Sequence, residues 1–125
     1  MKFKTDLSRA QGLGSAKKGL HHWIAQRVTA FVLIPLSIWF VGLFIILVSA
    51  PFDISYPQFT SLWSATLAIS FVLVIFYHGY LGMQVIWEDY VSHELTKWIL
   101  IILTKIFSFL MALLAILSIL KIYLS

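Results

Sequence analysis

Long uncharged apolar runs constrain the fold of this chain more than any other sequence feature. No residue between Val28 and Phe52 is charged, and a helix needs only about 20 apolar residues to cross the hydrocarbon core of a bilayer. We therefore predict an all-α integral membrane fold with three spanning helices, at about 23–49, 59–87 and 97–123. The composition supports this prediction, because only 11% of the residues are charged, whereas soluble domains are about 25% charged.

Basic residues are concentrated before the first predicted span. Six of the nine Lys and Arg residues precede Val28: Lys2, Lys4, Arg9, Lys17, Lys18 and Arg27. Cytoplasmic flanks of membrane helices carry such an excess. We expect residues 1–20 to form a flexible basic cytoplasmic tail, which either only sets orientation or docks onto a partner subunit. Residues 21–125 then form the anchor domain in the lipid bilayer. The charge distribution argues against a nucleic-acid partner.

The predicted connections set the topology. The segment Ala50–Gln58 has two prolines and lacks Lys and Arg, so we expect a short loop on the periplasmic or intermembrane side. By alternation, the loop Glu88–Thr96 returns to the cytoplasmic side. The N-terminus is then cytoplasmic and the C-terminus periplasmic, in a bacterial inner membrane or, for an organellar protein, the mitochondrial inner membrane. The first apolar segment is too long for a signal peptide and should stay in the membrane.

His78 lies inside the second apolar run. An ionisable side chain at membrane depth is costly, so it is a functional-site hypothesis by default. The acidic, aromatic cluster Trp87–Tyr90 follows about ten residues later, roughly 15 Å along a helix, which places His78 near the middle of the bilayer, or on its cytoplasmic side if the helix projects. At about 100° per residue, His78, Gly82 and Asp89 share one stripe. Gly82 would let a flat ligand approach the backbone, or would act with Gly79 as a helix-packing contact.

The surroundings of His78 limit what it can bind. A metal site made of side chains alone is not expected, because no second His, Cys or carboxylate lies at its depth and the chain has no cysteine. Haem needs only one or two axial ligands from protein, so a solitary histidine fits, with the second ligand coming from another chain. His21 and Arg27 could bind the propionates of a b-type haem. Alternatively, Arg27 is an interfacial cation and His78 only hydrogen-bonds to a neighbouring helix.

Two motifs, one in each of the first two spans, carry a family resemblance. They read His-x5-Arg-x-Thr-Ala, from His21 to Ala30, and His-x3-Gly-Met-x5-Asp-Tyr-Val, from His78 to Val91. Together with the three-span layout, they resemble the hydrophobic membrane-anchor subunits of succinate dehydrogenase. The second motif is the specific part of the resemblance. The third span matches only in hydrophobicity and placement.

The resemblance implies a subunit of succinate:quinone oxidoreductase, the respiratory complex II of the tricarboxylic acid cycle, with no dehydrogenase activity of its own. The implied partners are a flavoprotein subunit, an iron–sulfur subunit, a second three-helix cytochrome b anchor and ubiquinone. His78 is then expected to be one axial ligand of the haem b iron, with the other ligand supplied by the partner anchor. Arg27 and His21 are expected near the haem propionates. Tyr90 is expected to hydrogen-bond a quinone carbonyl, with Asp89 beside it.

Two other functions remain open for the sequence alone. The chain could be a small transport subunit in which His78 relays protons, although such a path calls for further polar residues at the same depth, and few occur beyond Ser70. It could also be a purely structural anchor without haem, in which His78 is a packing residue.

Overall fold

The computed structural model of the protein describes residues 13–125, with side chains from residue 19 onward. It contains four helices: α1 (Leu13–Ser49), α2 (Phe52–Phe59), α3 (Leu62–Tyr90) and α4 (Glu94–Leu124). Within residues 13–125 there is no strand. Three of the helices, α1, α3 and α4, are long and apolar enough to cross a membrane. The predicted all-α fold with three membrane-spanning helices is therefore confirmed, while the cytoplasmic placement of the N-terminus stays a prediction.

Helix α1 begins before the predicted first span. Residues 13–20, which we expected to belong to a flexible tail, form its first turns, and the remainder of that predicted tail lies outside the described residues. The glycines in this stretch cost about 1 kcal/mol each relative to alanine, which does not stop a helix that is already nucleated. Pro35 lies inside α1 without ending it, as membrane helices allow when neighbouring groups satisfy the freed carbonyl.

The connection between α1 and α3 is helical, and the prediction of a simple loop over Ala50–Gln58 was wrong. Pro51 directly precedes α2 with a φ of −56°. Its carbonyl accepts hydrogen bonds from the N–H groups of Ile54 and Ser55, at 3.0 and 2.9 Å. Asp53 lies in the first turn, where a carboxylate is stabilised by the positive end of the helix dipole. These contacts turn a segment rich in turn-forming residues into a short helix.

The second connection is shorter than predicted. Helix α3 continues to Tyr90 and α4 begins at Glu94, so only three positions of the expected loop Glu88–Thr96 are non-helical. His93 caps α4, because its side chain accepts a hydrogen bond from the Thr96 N–H at 3.3 Å. This cap explains why the chain can re-enter a helix so quickly.

Helix α3 is the central element of the bundle, since it packs against both α1 and α4, which have little direct contact in the described part of the chain. The Phe40 and Phe71 rings stack with centroids 4.8 Å apart and join α1 to α3. On the other side of α3, the Trp87 indole N–H donates to Thr104 Oγ1 of α4 at 2.9 Å. The result is a three-helix layer with α3 in the middle.

Few side chains are buried inside this layer. The buried residues are Leu43, Ser55, Ser64, Ala65, Leu81 and Ile101. Large apolar side chains point outward on all three long helices, including Phe31, Trp63 and Phe107. Such a surface is costly in water and normal in contact with lipid or with further membrane helices. The chain is therefore a multi-pass membrane protein.

We predict that Trp87→Phe weakens the packing of α3 against α4. The change removes the indole donor, while the Thr104 hydroxyl keeps its own bond to the Leu100 carbonyl at 2.7 Å. Because interhelical hydrogen bonds in membrane proteins contribute about 1 kcal/mol or less, we expect a loss of that size in SDS-induced unfolding followed by circular dichroism. Trp63→Phe is the matched control, since Trp63 is 79% exposed. Equal losses for the two variants would contradict the assignment.

Candidate functional site

His78 is held by a residue of a different helix. Its side chain is half-buried on α3, and its Nδ1 lies 2.8 Å from Thr29 Oγ1 on α1. The Thr29 oxygen is itself 2.7 Å from the Ala25 carbonyl oxygen, one turn earlier in α1, which is the usual backbone partner of a helical threonine. The imidazole is thus tied through one hydroxyl to the backbone of α1. The hydrogen bond to a neighbouring helix, which was the alternative to a ligand role for His78, is observed, and the ligand role stays a prediction.

The second ring nitrogen of His78, Nε2, does not bond to a neighbouring helix within the described residues. Nε2 has no hydrogen-bond partner among residues 19–125, whose side chains the structure describes. In the same residues, the enclosed side-chain atoms without a partner are His22 Nε2 and Gln26 Oε1. The Nε2 atom of His78 therefore has no hydrogen-bond partner among the described residues and is not fully enclosed by them. It is available to a group outside the three-helix layer.

The two glycines near His78 differ in their surroundings. A Cβ placed on Gly82 would lie 3.5 Å from Gln26 Nε2, so Gly82 faces α1 at close range. A Cβ placed on Gly79 would have no atom within 4 Å. Gly82 is therefore a helix-packing contact in this structure, and the open backbone beside His78 is that of Gly79.

An apolar groove with a volume of about 910 Å³ runs along α3 and includes Gly79. It reaches from Phe59 at one end to Met83 at the other, and α4 supplies Thr104 and Ser108 along its wall. Its surface is almost entirely hydrocarbon, so it suits an apolar chain, ring or helix rather than an ion. The open backbone next to His78 belongs to this groove.

His21 and Arg27 do not form one cluster with His78. Both are exposed, and the Arg27 guanidinium carbon lies 5.5 Å from the centre of the Trp23 ring. Thr29 follows Arg27 by two residues, so the two side chains leave α1 in directions about 160° apart around the helix axis. Arg27 thus lies on the side of α1 away from the hydrogen bond to His78.

Other polar residues of α1 face α3, a role that the sequence did not predict for them, although Thr29 belongs to the first motif. Gln26 packs against Gly82, and Thr29 contacts His78. His22, one turn before Gln26, has a half-buried side chain with an enclosed Nε2. The spacing of i, i+4 and i+7 puts His22, Gln26 and Thr29 on one helical face. This periodicity is the sequence signal that could have predicted a shared polar face.

Asp89 and Tyr90 occupy the last turn of α3 and form a separate location. Both are exposed, Tyr90 to 84%, and neither side chain has a hydrogen-bond partner among residues 19–125, whose side chains are described. Tyr90 is twelve residues from His78, or about 18 Å along the helix axis. The structure therefore places a half-buried histidine and an exposed acid–phenol pair at different positions along one helix.

Comparison with known proteins identifies the family to which this arrangement belongs. The family described as succinate dehydrogenase/fumarate reductase transmembrane subunit matches residues 1–119. The chain belongs to this family. The resemblance drawn from the two sequence motifs is confirmed at this level, as is the membrane-anchor character of the chain. No solved structure matches the chain.

Several curated relatives are named succinate dehydrogenase hydrophobic membrane anchor subunit. The protein from Rickettsia bellii (strain RML369-C) is 36% identical over 114 residues, which cover 86% of each chain. The protein from Rickettsia conorii (strain ATCC VR-613 / Malish 7) is 34% identical over 108 residues, 84% of each chain. A Coxiella burnetii relative is 32% identical over 84 residues, which cover 64% of this chain and 70% of the relative.

The two glycines provide a test of the site's packing. We predict that Gly82→Leu destabilises the contact between α1 and α3, because the added side chain must displace Gln26. Gly79→Leu meets no atom near its Cβ, so the three-helix layer itself should keep its stability. SDS-induced unfolding of the purified chain measures both effects. A larger loss of stability for Gly79→Leu than for Gly82→Leu would contradict the assignment.

Proposed function

We propose that this transmembrane subunit anchors a succinate:quinone oxidoreductase, supplies one axial ligand to haem b and forms part of the quinone-reduction site. Succinate is oxidised in a flavoprotein partner, and an iron–sulfur partner passes the electrons towards ubiquinone. A second three-helix cytochrome b anchor completes the membrane part. The chain alone has no dehydrogenase activity. Its proposed location is the bacterial inner membrane, or the mitochondrial inner membrane of an organellar protein.

The observation that supports the haem proposal most strongly is the state of the His78 ring. One nitrogen is fixed by Thr29 at 2.8 Å, and the other has no partner among the described residues. Histidines that bind metals usually engage their second ring nitrogen in this way, which orients the ring. Haem iron takes one or two axial ligands from protein, so one histidine per anchor is a fitting donor set. When bound, haem b supplies one-electron redox chemistry at the depth of His78.

The groove beside Gly79, the residue after His78, also fits a flat apolar group, although His78 itself does not line it. Gly79 leaves its backbone open towards the groove, and the groove walls offer hydrocarbon contact along α3. A second anchor that packs over this side would cover the groove and bring its own ligand. The incomplete enclosure of His78 is therefore what a site shared between two chains requires.

His21 and Arg27 remain our proposed partners for the haem propionates. The contact between Arg27 and Trp23 is exposed, and such cation–π pairs are worth about 0.5–1 kcal/mol. A hydrogen bond to a charged group contributes about 1.5–3 kcal/mol. Arg27 would thus gain by leaving the ring for a propionate, although its side chain must first cross the surface of α1.

Tyr90 and Asp89 are the proposed contribution to the quinone site. The exposed Tyr90 phenol can donate a hydrogen bond to a quinone carbonyl and favour the negative charge that develops there on reduction. Complete reduction takes up two electrons and two protons. Asp89 would orient Tyr90 or relay protons, unless it is only a solvated carboxylate at the helix end.

For the haem ligand, we predict that His78→Ala abolishes or shifts the bis-histidine haem spectrum of the purified complex. The reduced-minus-oxidised absorption spectrum measures this directly. His93→Asn is the matched control, because Asn can keep the cap of α4 that His93 provides. A haem spectrum unchanged by His78→Ala would exclude His78 as a ligand.

For the quinone site, we predict that Tyr90→Phe slows quinone reduction severalfold while succinate oxidation with an artificial soluble acceptor is unchanged. The reason is that only the quinone step uses the phenol hydrogen bond. Tyr77→Phe serves as the control, since Tyr77 is also exposed, at 49%, but lies one residue from His78 rather than at the helix end. Normal quinone kinetics in Tyr90→Phe would refute the role of Tyr90.

A structural anchor without haem is the competing function that one observation favours. The hydrogen bond between Thr29 and His78 is also what a histidine used only for packing would make. This alternative predicts a complex whose spectrum lacks the haem bands, and it gives no reason for an unpaired Nε2. The oxidised and reduced absorption spectra of the unmodified complex therefore separate the two functions.

A further inference from the structure

We infer that Thr29 is a positioning residue for His78: its hydroxyl oxygen accepts the proton of the Nδ1–H group, which leaves the lone pair on Nε2 for iron. The inference rests on the proposed role of His78 as a haem ligand. In this role Thr29, a residue of α1, contacts neither the metal nor the substrate. It sets the tautomer and the ring plane of His78 on α3.

The single proton of the Thr29 hydroxyl determines which atom donates in the contact with His78. Its oxygen lies 2.7 Å from the Ala25 carbonyl oxygen and 3.1 Å from that of Gln26. Carbonyl oxygens only accept hydrogen bonds, so the hydroxyl proton satisfies these neighbours, best at the shorter distance. The oxygen then meets His78 Nδ1 at 2.8 Å with only its lone pairs. A hydrogen bond at this distance requires the proton to be on Nδ1.

The opposite arrangement is less consistent with these distances. If Thr29 donated its proton to Nδ1, neither backbone carbonyl would receive the hydroxyl proton, although the closer one lies at 2.7 Å. A neutral imidazole has one donor nitrogen and one acceptor nitrogen, so the proton would then lie on Nε2. That tautomer has no lone pair to offer on the open side of the ring, where a ligand can approach.

The chemistry of residue 29 explains why threonine suits this task. Its hydroxyl is fixed by the bond to the preceding turn of α1, so the acceptor presented to His78 has little freedom. Because the bond crosses from α1 to α3, the spacing of these helices controls the orientation of the ring. Hydrogen bonds of this kind also raise the basicity of a ligating histidine and so adjust the properties of the metal.

The first test reads the tautomer without any haem. The full chain is labelled with ¹⁵N-histidine in detergent micelles, and His78→Gln assigns the His78 signals by difference. We expect the proton on Nδ1 in the unmodified chain and in Thr29→Ser, and loss of this preference in Thr29→Val, which keeps the shape without the hydroxyl. A proton on Nε2 in the unmodified chain, or a tautomer that Thr29→Val leaves unchanged, would overturn the inference.

The second test uses the complete complex, with the haem midpoint potential and the low-spin ferric EPR signal as readouts. Thr29→Val should raise the potential and shift the EPR signal, because the ligand loses its hydrogen-bond acceptor, whereas Thr29→Ser should match the unmodified complex. Thr29→Ala carries the same expectation as Thr29→Val if the valine variant does not assemble. Unchanged readouts in the variants without a hydroxyl would overturn the inference.

His78→Ala separates this inference from the function on which it rests. If that variant loses the haem spectrum while removal of the Thr29 hydroxyl changes neither potential nor EPR signal, only the role of Thr29 fails. If His78→Ala keeps the haem spectrum, the proposed ligand itself is wrong.

Discussion

The bilayer core offers no partner to a polar group, and the rest of the structure depends on this constraint. Hydroxyl side chains in the spanning helices find a hydrogen-bond partner within their own helix. Thr66 and Ser118, for example, each donate to the carbonyl one turn earlier at 2.8 Å. The His78 ring instead takes its partner from another helix. The bond to Thr29 therefore joins α1 to α3, and it engages only one of the two ring nitrogens.

The layer is only three helices wide. It carries the unpaired Nε2 of His78, the open backbone at Gly79 and the apolar groove. Most of the large apolar side chains of this layer face outward. At the end of α3, Tyr90 is exposed and has no hydrogen-bond partner among residues 19–125. In the proposed function, the surroundings of His78 and of Tyr90 are each one part of a site that other chains complete. An anchor subunit that works between other chains and a membrane-soluble substrate calls for this kind of incompleteness.

The sequence predicted the three spans because an uncharged apolar run has few alternatives to a membrane helix. It also carried the family resemblance. It failed at α2, where two prolines and an aspartate suggested a loop, but the carbonyl of Pro51 organises a helical turn. Periodicity put His78 and Gly82 on one stripe, yet it could not say what that stripe faces. Only tertiary packing shows that Gln26 occupies the space at Gly82.

We propose above all that His78 offers Nε2 to haem iron while Thr29 accepts a hydrogen bond from Nδ1. An experimental structure of the complete complex, at a resolution that shows side-chain orientation, tests it most directly. We predict a haem whose iron is bonded to His78 Nε2, with Nδ1 within hydrogen-bond distance of Thr29 Oγ1. A haem iron bound to other residues, or a His78 ring covered by protein or lipid with no haem beside it, would contradict the account.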